Sequence, residues 1–233
     1  MASLSRRAML GATGGLIAGG LLKTQADAIT LGDAAPAPQD RTRVLGANTS
    51  ELGRRAPGEQ PRRQVSRPGP SSSSRTPLHE LRGIITPADL HFERHHGGIP
   101  TIDPERYSLV IHGMVERPMT FTLRDMKRLP AISRLCFVEC SGNGGAAYNR
   151  NPRPEASPQQ IDGLLSTSEW TGVALATLLR EVGVRSGATW LLAEGGDAAV
   201  MARSVPLEKA WDDAMIAYGQ NGEAIRPEQG YPA

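Results

Sequence analysis

The residues best suited to chemistry in this 233-residue chain are its two cysteines and the glycines that follow them. They fall together in Arg134-Leu-Cys-Phe-Val-Glu-Cys-Ser-Gly-Asn-Gly-Gly145. The apolar run holding Cys136, Phe137 and Val138 reads as a buried strand, which delivers Cys140 to a mouth of Ser141, Gly142, Asn143, Gly144 and Gly145. Cysteines four apart on a strand have Cα atoms roughly 13 Å apart, beyond the ~7 Å that a disulfide spans. The pair therefore reads as two thiols, with Cys136 in the core. Glycines after Cys140 permit positive φ and leave room for backbone N–H groups and a thiolate to approach a bulky anionic group. Taken alone, Cys140 has three readings. It is a small buried hydrophobe, a nucleophile that needs a histidine base from elsewhere, or a soft thiolate ligand to a metal held by a cofactor.

Phe-Val-Glu-Cys-Ser-Gly-Asn resembles the cysteine loop of the sulfite oxidase family, whose cysteine binds the molybdenum of a molybdopterin cofactor. The resemblance extends to Ile85-Thr-Pro-Ala-Asp-Leu-His-Phe-Glu-Arg-His-His96, Ile99–Pro104 and Tyr107–Gly113, which are similar to a family segment that supplies an arginine and a histidine near the cofactor. Gly163-Leu-Leu-Ser-Thr-Ser-Glu-Trp-Thr-Gly-Val173 resembles a later cofactor-contacting segment, and Gly230-Tyr-Pro232 begins another.

This resemblance implies a molybdenum–molybdopterin cofactor with Cys140 as the protein's ligand to the metal. It implies that Arg94 acts beside Cys140 on anionic substrate or product oxygens. His95 and His96 would hold the pterin or its phosphate, and Ser141, Asn143, the Gly144 backbone, Ser166 and Thr167 would line the same anion. His91, His95 and His96 also suggest zinc, but no second cluster completes four ligands. Trp170 reads as core.

The loop wording, His96–Pro100, Ala193-Glu-Gly195 and Arg203–Pro206 are similar to the branch of the family that oxidises sulfane sulfur. Animal-type sulfite oxidases carry an arginine a few residues after the cysteine, where this chain has Gly145. The implied reaction is oxidation of carrier-bound sulfane sulfur; the alternatives are a dehydrogenase of free sulfite and a non-catalytic subunit that only binds its partner. No Cys-x-x-Cys-His haem motif occurs, so the electrons are expected to pass to a c-type cytochrome partner, with a sulfur-carrier protein as a second partner.

At the N-terminus, Ser5-Arg-Arg-Ala-Met-Leu10 precedes a glycine-interrupted apolar run from Ala8 to Leu22. That run is shorter than the ~20 residues needed to cross a bilayer. Twin arginines before a weakly apolar core, with a small-x-small site at Ala26-Asp-Ala28, predict a twin-arginine export signal over residues 1–28 and a periplasmic destination. Residues 29–78 are rich in Pro, Ser and Arg, lack apolar periodicity and are expected to form a flexible segment. Residues 41–75 hold eight arginines against Glu51 and Glu59, a net of +6, while residues 76–233 hold fifteen Lys/Arg and nineteen Asp/Glu, a net of −4. A basic arm on an acidic body, without a recognition helix or a basic face, does not point to nucleic acid.

Residues 79–233 are the expected molybdopterin-binding domain, of α+β class, a mixed sheet with short helices. Tyr107–Val115 reads as a strand, and Thr122 with Asp125 as a capping box for a helix that Pro130 closes. Ala131–Glu139 is the strand leading to Cys140, and Val173–Val182 an amphipathic helix ending at Gly183. Thr189–Ala193 is a further strand, Ser204 is expected to cap a helix through Trp211, and Asn221-Gly222 marks a tight turn. Family members continue past the point where this chain ends, into an immunoglobulin-like domain that makes the dimer. The chain is therefore expected to be incomplete, and its full-length form an oligomer.

Overall fold

The computed structural model describes residues 45–148 and 155–233. The expected export signal lies outside them. Of these, residues 45–54 belong to one unit and Arg55–Ala233 to another. In the first, the described residues hold a local bend, with Ser50 Oγ donating to the Leu52 carbonyl at 2.9 Å.

The second unit begins with three short strands, β1 (Gln64–Val65), β2 (Ser73–Arg75) and β3 (Glu93–Arg94), paired antiparallel in that order. The first two fall in the segment expected to be flexible. Their sequence is polar and Ser-rich, so nothing alternates; their order comes from cross-strand bonds and from Thr76, fully buried, whose N–H donates to the Gly163 carbonyl at 2.8 Å. β4 (Ser108–Ile111) and β5 (Met119–Thr122) form a hairpin, shorter than the Tyr107–Val115 expectation because Gly113 turns the chain at φ 100°. Helix α1 (Leu123–Arg128) opens on the expected box: Thr122 Oγ1 accepts from the Asp125 N–H at 3.2 Å, and Asp125 Oδ2 accepts from the Thr122 N–H at 3.0 Å.

β6 (Ala131–Glu139) follows, then the short α2 (Gly145–Tyr148) and α3 (Pro158–Asp162), and then β7 (Leu165–Ala174). β6 and β7 pair antiparallel without a break, from Ala131↔Val173 to Glu139↔Leu165. Helix α4 (Leu175–Val182) buries Leu178, Leu179 and Val182 and ends on Gly183 at φ 67°. It starts two residues later than expected because Val173 and Ala174 finish β7, where strand pairing of Val173 with Ala131 and of Ala174 with Met215 outweighs their place in the helical pattern.

β8 (Trp190–Glu194) and β9 (Ala202–Pro206) form a second hairpin, and α5 (Leu207–Asp212) follows. Ser204 is not the cap of that helix; it pairs with Leu192 inside β9, and Pro206 holds the N-cap position. β10 (Met215–Gln220) and β11 (Glu223–Ala224) complete the main sheet, whose order is β11-β10-β7-β6. Asn221 and Gly222, at φ 51° and 81°, make the expected tight turn between them. The class is α+β, as expected, and every described strand pair is antiparallel.

Val115, Phe121, Met126, Val173, Leu178 and Val182 form the buried apolar cluster, which sits at one end of β7. The cysteine loop sits at the other, roughly 27 Å away at ~3.4 Å per strand residue. The strand before Cys140 is not buried. Leu135, Phe137 and Val138 are 49%, 67% and 41% exposed, and Cys136 is exposed rather than in the core. Among the described residues β6 is the outermost strand of its sheet, with a neighbour on one side only, so its apolar composition does not translate into burial.

At Gly172 a Cβ would lie 2.0 Å from the Ile216 carbonyl oxygen and 2.6 Å from Ala217 Cα, both backbone atoms of β10. Gly172→Ala must part β7 from β10, at a cost of about 3 kcal/mol. A thermal melt should show a fall of roughly 6–12 °C. A melt unchanged from wild type would mean that the two strands do not approach so closely.

Candidate functional site

Cys140 continues the ladder beyond the last residue of β6: its N–H donates to the Leu164 carbonyl at 3.0 Å. The chain then turns, with the Asn143 N–H donating back to the Cys140 carbonyl at 2.8 Å and the Gly144 N–H donating to Ile161 at 2.9 Å. Gly144 has φ 76°, a left-handed conformation that favours glycine. The Asn143 side chain locks the turn from both ends. Its Nδ2 donates to Glu139 Oε1 at 2.9 Å, and its Oδ1 accepts from the Leu164 N–H at 3.0 Å. Asn143 is therefore a strut of the loop, with its amide already engaged.

Cys140 is half-buried and Ser141 and Gly142 are exposed, so the sulfur lies at the surface of this loop. Both cysteines are free. The Gly142 N–H donates to Cys140 Sγ at 3.5 Å. A Cβ at Gly142 would stand 3.8 Å from that sulfur, so glycine keeps this side open to a large partner.

The segment carrying Arg94, His95 and His96 is fixed by bonds to its backbone. The Phe92 N–H donates to Ser166 Oγ at 3.0 Å, the Phe92 carbonyl accepts from Gln229 Nε2 at 2.8 Å, and the His95 N–H donates to the Ser72 carbonyl at 2.9 Å. Arg94 and His96 are exposed. The Arg94 Nη1 donates to the carbonyl of His95, and the His95 Nε2 bonds Glu93 Oε2 at 2.8 Å. A Cβ at Gly97 would meet Ala199 N at 3.0 Å, so the loop between β8 and β9 seats against the residue beside His96.

Ser166 and Thr167 act as braces. Ser166 is buried and its hydroxyl is shared between the Phe92 N–H and Thr76 Oγ1, the latter at 2.6 Å. The Thr167 N–H donates to Thr86 Oγ1 at 3.2 Å, and its carbonyl accepts from the Thr86 N–H at 2.8 Å. Leu164 and Ser166 thus hold the cysteine loop and the Arg94–His96 segment at neighbouring points of one strand. Sequence spacing gave no sign of Thr76, Gln229 or Leu164 as the partners that do this, because each acts across a long stretch of chain.

His91 is buried, edge-on to Trp170 with ring centroids 5.8 Å apart. Its Nδ1 donates to the Phe92 carbonyl at 3.0 Å, since a carbonyl can only accept. His91 is thus a wall of the fold, and Trp170, half-buried, forms its neighbour.

Among the described residues no group of three or more His, Cys, Asp or Glu side chains is placed to hold a metal ion. This loop offers a single cysteine sulfur, so a metal at Cys140 must bring its remaining ligands with it, as one carried by a pterin dithiolene does. The open sulfur, the Gly142 N–H beside it and the glycine-lined turn fit that group.

Residues 96–233 match the oxidoreductase molybdopterin binding domain. The chain belongs to the molybdopterin-binding oxidoreductases. The cofactor of this domain is molybdenum–molybdopterin, and its family unites sulfite oxidases with nitrate reductases. The chain is 34% identical over 164 residues to the NADH nitrate reductase of Ulva prolifera, covering 64% of this chain and 19% of that protein. It is 33% identical over 175 residues to an NADH nitrate reductase of Brassica napus, covering 69% and 19%. Among solved structures it is similar to the sulfane dehydrogenase SoxCD from Paracoccus pantotrophus, at 37% identity and a TM-score of 0.77, over 84% of this chain and 52% of that one. The chain therefore spans about a fifth of the nitrate reductases and about half of the sulfane dehydrogenase chain.

Burial pushes the His91 ring below its ordinary value near 6.5, against the raising effect of the Phe92 carbonyl. The unfolded chain then takes up a proton more readily than the folded one. Stability from this residue is complete above that ordinary value and is lost as the pH falls below it. Melting temperatures measured from about pH 7 to about pH 5 should fall less in His91→Phe than in wild type. Equal falls in the two proteins would show that His91 titrates freely.

Proposed function

We propose that this molybdopterin-binding domain oxidises reduced sulfur, with carrier-bound sulfane sulfur as substrate and a c-type cytochrome as electron acceptor. The observation that carries this reading is the likeness to a sulfane dehydrogenase over 84% of the chain, against 64% and 69% for the two nitrate reductases at lower identity. Position 145 supports it: glycine gives that side of the cup no cation for a small free anion such as sulfite.

In this reading Cys140 is the thiolate that anchors the metal. It would bind the metal as the thiolate, with the Gly142 N–H 3.5 Å from the sulfur. When bound, the cofactor would supply a two-electron centre suited to transfer of a water-derived oxygen to a sulfur lone pair. Arg94, exposed on β3, binds anionic oxygens through charge-assisted hydrogen bonds worth roughly 1.5–3 kcal/mol. His95 and His96 hold the pterin or its phosphate, and the Ser141 hydroxyl and Gly144 backbone border the same anion. Asn143, Ser166 and Thr167 contribute by fixing the frame on which these groups stand.

The test is metal content and turnover of holoprotein made in a host able to synthesise molybdopterin. About one molybdenum per chain, lost in Cys140→Ser, and faster oxidation of carrier-bound sulfane than of free sulfite with cytochrome c present are expected. Faster turnover of sulfite, or reduction of nitrate, would reject the sulfane assignment. Metal-free, well-folded protein that still bound its cytochrome would reject catalysis altogether.

The nitrate reductase likeness favours a second reading, reduction of an oxyanion at the same cup, and the nitrate arm of that assay decides it. Export of the folded holoprotein to the periplasm by the twin-arginine route is the matching cellular proposal, because the cofactor must be inserted before secretion. Replacing Arg6 and Arg7 together by lysine should leave the protein in the cytoplasmic fraction. Unchanged periplasmic recovery would count against the route.

A further inference from the structure

We propose that Arg63 is a positioning residue for Arg94, acting by holding the Glu93 carboxylate away from it. The inference rests on the reading of Arg94 as the anion-binding cation. Arg63 stands just before β1, on the Pro/Ser/Arg-rich segment and outside the residues matched to the family. Its Nη1 pairs with Glu93 Oε1, lies 3.5 Å from Glu228 Oε1 and donates to the His91 carbonyl at 3.2 Å. Glu93 is fully engaged. Its Oε1 also accepts from Ser74 Oγ at 3.1 Å, and its Oε2 bonds His95 Nε2 at 2.8 Å. The side chains of Arg63, Glu93 and His95 are only 23%, 12% and 14% exposed, so the network is screened little by water.

The geometry assigns each charge to one face. Successive strand residues point to opposite sides, and β3 turns Glu93 inward and leaves Arg94 exposed. A carboxylate one residue from a guanidinium is otherwise its nearest competitor for an external anion. Arg63, brought from 30 residues earlier in the chain, satisfies that carboxylate from the inner side. Among the described residues Arg94 then bonds only a neutral backbone carbonyl, that of His95, and its positive charge stays available. Without Arg63, the Glu93 carboxylate keeps an uncompensated negative charge one residue from Arg94 and weakens its pull on an external anion.

The probe is sulfate, titrated calorimetrically into the holoprotein, with molybdenum per chain and melting temperature measured alongside. Arg63→Met should weaken sulfate binding about tenfold, the scale of one charge-assisted hydrogen bond. Adding Glu93→Gln to that variant should restore binding to within about threefold of wild type, because the competing charge is gone. Arg63→Lys should bind within a similar margin. A purely structural role for Arg63 would not be rescued by removing a second charge. Wild-type sulfate affinity in Arg63→Met overturns the proposal, as does a double variant that melts normally but stays weak. Should Arg63→Met fail to fold, the double variant alone decides: it must bind sulfate like wild type, and weak binding overturns the idea. Arg94→Gln separates the two levels. If it binds sulfate as well as wild type, the reading of Arg94 is wrong. If it loses binding while Arg63→Met does not, only the role of Arg63 falls.

Discussion

One strand keeps both halves of the site in register. The Leu164 carbonyl, just ahead of β7, takes the Cys140 N–H at 3.0 Å, and Ser166, two residues on, takes the Phe92 N–H at 3.0 Å. The thiol and the Arg94–His96 segment come from parts of the chain some 45 residues apart, yet each is referred to the same short piece of backbone. The other end of β7 is held at Val173, fully buried in the apolar cluster with Leu178 and Val182. Apolar packing therefore sets where the strand lies, and hydrogen bonds at its far end set what it presents.

The parts legible in the sequence were those whose determining contacts are local. The Thr122/Asp125 box spans three residues, Asn221-Gly222 needs only two positive φ angles, and Ala131–Glu139 has strand composition throughout. What escaped was whatever a distant partner decides. Ser204 has the chemistry of a helix cap, but pairing with Leu192 places it in a strand. Cys136, Phe137 and Val138 look like core, but their strand is the last in its sheet. At the site the cysteine loop and its glycines could be read directly. The structural duties of Asn143 and Ser166 could not, since their partners Leu164 and Phe92 lie 21 and 74 residues away.

The charge imbalance between arm and body has a structural answer within the chain. Arg55 meets Asp89 at 2.6 Å, and Arg63 meets Glu93 and Glu228. The hydrogen bond from Arg55 holds the Asp89 carboxyl below its usual range. That pair is well exposed and adds at most about 1 kcal/mol. The Arg63 contacts are drier and so carry more weight. With Gln159 donating to the carbonyls of Arg62 and Arg75 at 3.1 and 2.9 Å, they convert a compositionally weak segment into part of the body. Two of the arm's eight arginines, Arg55 and Arg63, are thus paired with carboxylates of the body.

The bare stretch Leu135-Cys-Phe-Val138 on the outer strand has a colloidal consequence. Short, uncharged, β-prone runs on an open sheet edge recruit identical runs from other molecules and grow into fibrous aggregates. Here the run is bracketed by Arg134 and Glu139, charges of opposite sign that are themselves tethered, one to the Asp213 carbonyl and the other to Asn143. Such flanking charges act as gatekeepers against stacking. Solubility at this edge consequently depends on two fixed side chains.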